Sequence, residues 1–355
     1  MKNRTKTMLG NLLLNTGYTL IAIVVSLLIS AIIMLLVGYN PLLAYKSMLD
    51  GAFGTRDALA ASLSKSIPLM FCGLSFAFAQ RSGVFNIGGE GQLYIGALAS
   101  TVVALALPGS PPFLVVTLAI LAGFVAGGLM GIILGFSKAK LGLSEVVVAI
   151  MMNYIIQLFT SWVVSEPLLA AGSSNPQSEH IESQFMLRLL IPRTQLSWAL
   201  LLGLVLCVIV FLFFRQTRFG FDIRVVGENP DAALASGVKV GTTMIIAMGI
   251  AGGLAGLAGT TEVLGKYGRF IDGFSTGFGF TGIAVSVLAN NHPLGIIFTS
   301  ILFGAMEAGA MKMSYQAGIS TNMVGVIQGL VIVFVATPLL TQRLFKKRTG
   351  GLNHE

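Results

Sequence analysis

The sequence has few charged residues and few side chains that perform chemistry. Only 10% of its 355 residues are Asp, Glu, Lys or Arg, and it contains three histidines and two cysteines. Cys72 and Cys207 lie in apolar segments, where we expect them to pack as small hydrophobic residues. His180, His292 and His354 lie in loops or the tail and lack metal-ligand spacing. We therefore expect no metal site and no catalytic set, and predict that the chain is not an enzyme.

A nucleotide-binding motif is also missing. The stretch from Gly259 to Lys266 resembles a P-loop, but its two glycines are one residue too far apart, and Tyr267 stands where the motif needs Ser or Thr. We therefore expect no cofactor in this chain. The net charge of +8 does not indicate nucleic-acid binding, because the basic residues lie in short loops and at the C-terminus, as membrane orientation requires.

Apolar residues dominate what remains. They make up 55% of the chain, its mean hydropathy is +0.85, and runs of membrane-spanning length recur from end to end. The sequence predicts an all-α polytopic membrane protein that forms a single transmembrane domain over residues 1–355. We predict about ten transmembrane helices, near residues 17–39, 59–80, 90–107, 112–135, 144–165, 195–214, 241–262, 276–290, 293–311 and 321–341.

The distribution of Lys and Arg predicts that both termini are cytoplasmic, because most basic residues then fall in segments on that side. On this topology residues 166–193 form an external loop and residues 215–240 the largest cytoplasmic loop. The basic start followed by a long apolar run predicts an uncleaved first helix. We expect a multi-pass protein of a bacterial cytoplasmic membrane.

Many of the 43 glycines recur along helix faces rather than in loops. Small-residue faces allow helix backbones to approach closely, so we predict tight helix packing, within the chain or against a partner subunit. These glycines are Gly123, Gly127, Gly131 and Gly135 on one helix and Gly249, Gly252, Gly253, Gly256 and Gly259 on another.

The stretch 81–92 places a carboxylate and two amides among glycines between two apolar helices. Irregular backbone at membrane depth is tolerated only where protein buries it or where it lines a hydrated cavity. A second glycine-rich stretch, 273–280, precedes the predicted eighth helix, and such pairs indicate an internal repeat with a central site. The candidates for a translocation pathway are Asn86, Glu90, Gln92, Asn153, Phe278 and Phe280. The alternative is structural: interhelical hydrogen bonds and aromatic packing.

The predicted cytoplasmic loop contains a short helix. Asn229 is a good N-cap, Pro230 suits the first helical position, and Gly237 is a natural stop, so residues 230–236 should form about two turns. Its small residues could insert into a groove of a partner protein, or the segment could be an ordinary surface helix.

Three stretches carry a resemblance to a known family. The run Gly227-Glu-Asn-Pro-Asp-Ala-Ala-Leu-Ala-Ser-Gly237 resembles the cytoplasmic loop of permease subunits from ABC importers of branched-chain amino acids, ribose-type sugars and nucleosides. The run Phe85-Asn-Ile-Gly-Gly-Glu-Gly-Gln92 is similar to another signature of that family, in the form typical of its nucleoside branch. The stretch 277–293 also fits.

The resemblance implies a type II-importer-like fold, alternating access, and a coupling helix that docks on a separate ATPase, which binds ATP and Mg. The implied coupling residues are Gly227, Glu228, Asn229, Pro230, Ala233 and Gly237. The implied partners are a second, different permease subunit, that ATPase and an extracytoplasmic substrate-binding lipoprotein. Nucleosides are the expected small-molecule substrate. The alternatives are simple sugars, branched-chain amino acids, or an ion-coupled secondary transporter that uses Glu90 as its ion site.

Overall fold

The computed structural model describes residues 24–320 and 322–336, and the regular structure of those residues is helical, with two isolated β-bridges and no strand. The helices are α1 (Val24–Leu36), α2 (Pro41–Phe53), α3 (Arg56–Gln80), α4 (Gly89–Ala106), α5 (Pro112–Leu141), α6 (Glu145–Ser165), α7 (Ala199–Gln216), α8 (Arg218–Glu228), α9 (Pro230–Ala235), α10 (Val240–Glu262), α11 (Phe278–Leu288), α12 (Pro293–Ala317) and α13 (Asn322–Ala336). A π-helical turn, Val263–Tyr267, extends α10.

Within the described residues, six helices are long and apolar enough to cross a membrane: α3, α5, α6, α7, α10 with its π turn, and α12. The all-α polytopic prediction is thereby confirmed in its coarse form. The predicted eighth span, 276–290, is a half-length helix: α11 has 11 residues and rises about 17 Å, short of a hydrocarbon core of roughly 30 Å. Parts of the first and last predicted spans lie outside the described residues.

Two helices were not predicted, and one of them had a recognisable signal. Helix α2 begins with Asn40, whose side chain accepts hydrogen bonds from the backbone N–H groups of Leu42 and Leu43, and continues with Pro41 at the first position. The same Asn-Pro start opens α9. Helix α8 has Thr217 as its N-cap, whose hydroxyl accepts a hydrogen bond from the N–H of Gly220.

The described residues divide into two compact units, one of residues 24–58 with 306–320 and 322–336, and one of residues 59–305. In the first, Met34, Met48, Met313 and Ile327 belong to an apolar cluster, and Asp50 pairs with Lys312. The second unit contains every residue of the candidate site. The single transmembrane domain stays a prediction.

Helices α5 and α10 pack through their glycines, which form a glycine seam (Gly123, Gly127, Gly131, Gly252 and Gly256). A Cβ atom added to Gly127 would lie 2.4 Å from the carbonyl oxygen of Gly252, and one added to Gly131 would lie 2.1 Å from that of Met248. No side chain fits between backbones this close. The prediction of tight packing is confirmed, and the packing lies within this chain.

The predicted external loop, 166–193, is docked on the segment that follows α10. The backbone N–H of Ser178 donates to Phe270 O at 2.9 Å, and that of Leu187 donates to Leu264 O at 2.8 Å. The ring of Phe185 is fully buried. This loop is therefore an ordered part of the larger unit, and its external location stays a prediction.

Candidate functional site

The stretch between α3 and α4 is held by a pair of side-chain amides. Asn86 Nδ2 donates to Gln92 Oε1 at 2.9 Å, and Gln92 Nε2 donates back to Asn86 Oδ1 at 3.2 Å. Asn86 also donates to the hydroxyl of Ser75 on α3 at 3.1 Å. Both amides are buried, and these bonds satisfy groups that would otherwise be costly to bury. The pair fixes the start of α4 against the end of α3.

Asn153 on α6 binds the same stretch from the other side. Its Oδ1 accepts from the backbone N–H of Gly91 at 2.9 Å, and its Nδ2 donates to the carbonyl oxygen of Ile87 at 3.0 Å. The side chain thereby takes the place of a backbone partner for the irregular turn. A Cβ atom on Gly91 would lie 2.8 Å from Asn153 Oδ1, so glycine is required for this contact.

The two glycine-rich stretches meet at Glu90. Its Oε2 accepts a hydrogen bond of 2.7 Å from the backbone N–H of Gly279 in the first turn of α11. A Cβ atom on Gly279 would lie 2.3 Å from the backbone nitrogen of Glu90. A carboxylate suits this position because the first turn of a helix has unpaired N–H groups and a partial positive charge. The contact joins the N-termini of α4 and α11, which we call the α4–α11 junction.

The predicted pathway residues therefore fall into two groups. Asn86, Glu90, Gln92 and Asn153 are buried and bonded to one another's segments, as in the structural alternative. Phe278 is also buried, whereas the ring of Phe280 is 49% exposed. Of these candidates, Phe280 is the one whose side chain is available to another molecule.

The predicted short helix forms as α9. Asn229 Oδ1 accepts from the N–H groups of Asp231 and Ala232 at 3.1 and 3.0 Å, and Gly237 has φ +82° just beyond the helix end. Ala233, however, is fully buried, whereas Leu234 is 66% exposed. The exposed side chain at the centre of this helix is therefore Leu234, and Ala233 packs inward.

The end of α8 packs directly against the stretch that leads to the junction. A Cβ atom on Gly227 would lie 2.2 Å from the carbonyl oxygen of Arg81, and one on Gly83 would lie 3.3 Å from Gly227 Cα. Glu228 is exposed, and Asn229 both ends α8 and begins α9. The loop that contains α9 is thus in backbone contact with residues 81–83.

A largely buried ion pair at the end of α10 was not predicted from the sequence. Lys266 Nζ lies 3.1 Å from Glu262 Oε2, and the Glu262 side chain is nearly inaccessible. The signal was available, because Glu and Lys four residues apart on one helix face commonly pair. The pair spans the start of the π-helical turn, a feature frequent at functional sites. Among the described residues, no group of three or more His, Cys, Asp and Glu side chains could hold a metal ion.

The structure combines apolar helices long enough to span a membrane with a glycine-rich junction held by buried polar bonds. A short capped helix lies on a loop that contacts residues 81–83, which lead to that junction. These features are typical of a multi-pass membrane transport subunit. The family model described as "Branched-chain amino acid transport system / permease component" matches residues 58–336. The chain belongs to this family, and it is a multi-pass protein of the cytoplasmic membrane.

The relatives of known function are also permease proteins of ABC transporters. The chain is 34% identical to the nucleoside ABC transporter permease protein NupB of Lactococcus lactis, over 98% of this chain and 95% of that protein. It is 34% identical to the guanosine ABC transporter permease protein NupP of Bacillus subtilis, over 90% of this chain and 92% of that protein. It is 28% identical to the glucose ABC transporter permease protein TsgB13 of Haloferax volcanii, over 95% of this chain and 90% of that protein. The recognition of an ABC importer permease subunit from its motifs is confirmed.

Proposed function

We propose that this permease subunit moves nucleosides into the cell by alternating access, driven by a separate ATPase subunit that binds ATP and Mg and docks on α9. The observation that carries the proposal is the backbone contact of Gly227 with Arg81 and Gly83. It connects the loop where an ATPase would act with the segment that ends at the α4–α11 junction. The nucleoside branch is supported by the similarity to NupB and NupP.

A displacement of α9 has a short route to the junction. Asn229 is shared by α8 and α9, so the two helices move together at that residue. Gly227, two residues before Asn229, is in close backbone contact with the 81–83 turn. Residues 86–92 follow that turn, and their bonds extend to α3, α6 and α11. Because packed elements switch between discrete arrangements, a push on α9 would shift the junction as a unit.

In this proposal the polar candidates position the backbone, and an exposed aromatic ring contacts the substrate. Nucleobases stack on aromatic faces with a gain of about 1–3 kcal/mol per base. Phe280 lies in the first turn of α11, next to Gly279, and its ring is half exposed. Movement of the junction would therefore move this ring directly.

The remaining partners and the finer topology belong to the same proposal. Helix α6 buries few of its side chains within the chain, and Ile150, Tyr154, Leu158 and Trp162 are exposed on it. Lipid or a second permease must cover such a surface. We assign this surface to a second, different permease subunit. The chain itself would have about ten spans and two cytoplasmic termini. A substrate-binding lipoprotein would bind on the outer side.

The substrate and the energy source can be tested together. Vesicles containing the whole importer would be loaded with ATP and offered nucleosides, simple sugars and branched-chain amino acids. We expect ATP-dependent uptake of nucleosides. If glucose alone were taken up, the substrate would be a sugar and not a nucleoside. Sugars are the second candidate because of the similarity to TsgB13. Uptake that survives ATP depletion but is lost when the proton gradient collapses would refute ATP-driven transport.

The coupling role can be tested at neighbouring residues of α9. Leu234→Asp places a charge on the exposed side, so we expect normal yield of the permease and loss of the co-purifying ATPase. Ala233→Asp buries a charge at a fully buried position and should reduce the yield itself. The matched control, Ala235→Ser, should change neither. If Leu234→Asp retained a full complement of ATPase, α9 would not be the docking helix.

A further inference from the structure

A cavity of about 230 Å³ lies where several helices of the larger unit end or begin. It is formed at the ends of α3 and α7 and the start of α12, with α8 as one wall. Its lining is basic and aromatic: Arg81, Arg215, Arg224, His292, Phe211 and Phe214.

Within the part of the chain that the structure describes, no acidic side chain forms an ion pair with the arginines of this cavity. None of the ion pairs Lys138–Glu145, Lys266–Glu262 and Lys312–Asp50 involves a cavity arginine. The Nε atoms of Arg81 and Arg224 are buried without a hydrogen-bond partner. An unpaired buried donor on a charged group is costly and indicates a missing acceptor.

The contacts that Arg81 does make leave it directed into the cavity. Its Nη2 donates to the carbonyl oxygen of Asn291 at 3.1 Å, and its guanidinium lies 4.8 Å from the ring centre of Phe214. Burial and the positive charge of Arg224 lower the pKa of Arg81, and burial and Arg81 lower the pKa of His292. Two cations held together in this way are stabilised by an anion between them.

The lining, the volume and the position of the cavity indicate which kind of anion it would bind. Guanidinium groups bind phosphate oxygens in a bidentate fork, and stacking on an aromatic ring keeps the fork in place. The volume is below the range of about 300–1,000 Å³ that encloses drug-sized ligands, so it suits a single phosphate group. The ends of spanning helices lie at the depth of lipid headgroups, where basic pockets bind anionic phospholipids.

We propose that this cavity is a binding site for a phosphate group, carried by an anionic phospholipid of the adjoining leaflet or present as free phosphate, with Arg81 and Arg224 as its principal ligands. The site bridges the end of α3 and α8. Its occupancy would therefore hold α8 against the 81–83 turn, the same turn that Gly227 contacts. This phosphate site would be present whichever substrate the permease transports.

The test uses the full-length chain, purified in a neutral detergent and stripped of lipid. Phosphatidylglycerol, phosphatidylcholine, diacylglycerol and inorganic phosphate would be titrated separately, with Tm and native mass spectrometry as readouts. A saturable rise in Tm with phosphatidylglycerol alone identifies a lipid headgroup, and a rise with inorganic phosphate as well identifies free phosphate. A rise of equal size with diacylglycerol, or none with either phosphate source, would overturn the proposal.

Variants make the assignment specific. Arg224→Gln should weaken binding about tenfold or more, because it removes a charged hydrogen-bond donor, and Arg81→Gln should do the same if it folds despite losing the bond to Asn291. Arg218→Gln is the matched control, since this exposed arginine begins α8 outside the cavity. If Arg218→Gln and Arg224→Gln weakened phosphate binding equally, the binding would depend on general surface charge and not on this cavity, and the proposal would be wrong. If only ATPase co-purification depended on Arg224, an acidic group of a partner protein would be the occupant, and the proposal would be wrong.

Discussion

Glycine serves two different purposes in this permease. In the glycine seam between α5 and α10, both helices are regular and long, and glycine brings their backbones together over several turns. At the α4–α11 junction, glycine brings together two helix beginnings, beside irregular backbone. The seam is lined by small apolar groups, whereas the junction is held by a carboxylate and three amides.

The difference separates a fixed part of the molecule from a part built to move. Close contacts distributed along two continuous helices have no alternative arrangement of similar energy, because every turn would have to separate at once. The junction depends on a few directional hydrogen bonds made by Asn86, Glu90, Gln92 and Asn153, and such a small set can switch together between two discrete arrangements. We therefore expect mutations in the seam to remove the protein and mutations in the junction to remove transport.

The largest effect is expected from Gly131→Ala in the seam. The new Cβ atom would lie 2.1 Å from the Met248 carbonyl oxygen, and a helix backbone cannot yield locally. Overpacking of this kind costs about 3 kcal/mol, so Tm should fall by roughly 4 °C for a chain of this length, and the yield of monodisperse protein should fall with it.

Gly241→Ala is the matched control for the seam: it lies on α10, the helix that packs against α5, and a Cβ atom there would have its nearest neighbour at 3.7 Å. Alanine is the better helix former by roughly 1 kcal/mol, so this variant should be as stable as the parent or slightly more so. Equal Tm values for the two variants would show that the seam is not tightly packed.

A smaller loss of stability but a severe loss of transport is expected from Gly279→Ala. Its Cβ atom would lie 2.3 Å from the backbone nitrogen of Glu90, so α11 must shift and the bond from Gly279 N–H to Glu90 must lengthen. Because α11 is short, the cost should stay near 1–3 kcal/mol. ATP-driven uptake and Tm would be measured on the same preparation.

Gly89→Ala provides the comparison on the other side of the junction. Its Cβ atom would be 3.6 Å from Gly279 Cα, an ordinary van der Waals contact, so uptake should be retained. If Gly279→Ala transported as well as Gly89→Ala, the junction would not move during transport.

Sequence patterns predicted the local features of the site well. Asn229, Pro230 and Gly237 each have a local backbone preference, and α9 forms where they indicate. The glycine spacing on α5 and α10 predicted a close-packed face because period alone defines that face. Each of these features depends on residues within a few turns of one another.

The partners of the polar residues could not be predicted, since they depend on contacts between distant parts of the chain. Glu90 and Gly279 are 189 residues apart, and Asn153 and Gly91 are 62 apart. For the same reason the motif could not show that Ala233, one of the implied coupling residues, is buried by tertiary packing while Leu234 is exposed. The predicted span over 276–290 extends two residues beyond α11 at each end, because sequence patterns define the bounds of a helix less sharply than its existence.

The smallest effect is expected from Glu90→Gln, which separates charge from hydrogen bonding at the junction. Glutamine keeps an oxygen that can accept from Gly279 N–H, so the yield should be normal. What is lost is the attraction of a negative charge to the first turn of α11, about 0.3–1 kcal/mol, which corresponds to a roughly two- to fivefold change in uptake. Glu90→Leu leaves the buried N–H unpaired at about 1–3 kcal/mol and should also lower Tm. If Glu90→Gln failed to accumulate while Gly89→Ala did, the carboxylate would be needed for folding, and the junction would belong with the seam as a fixed part of the molecule.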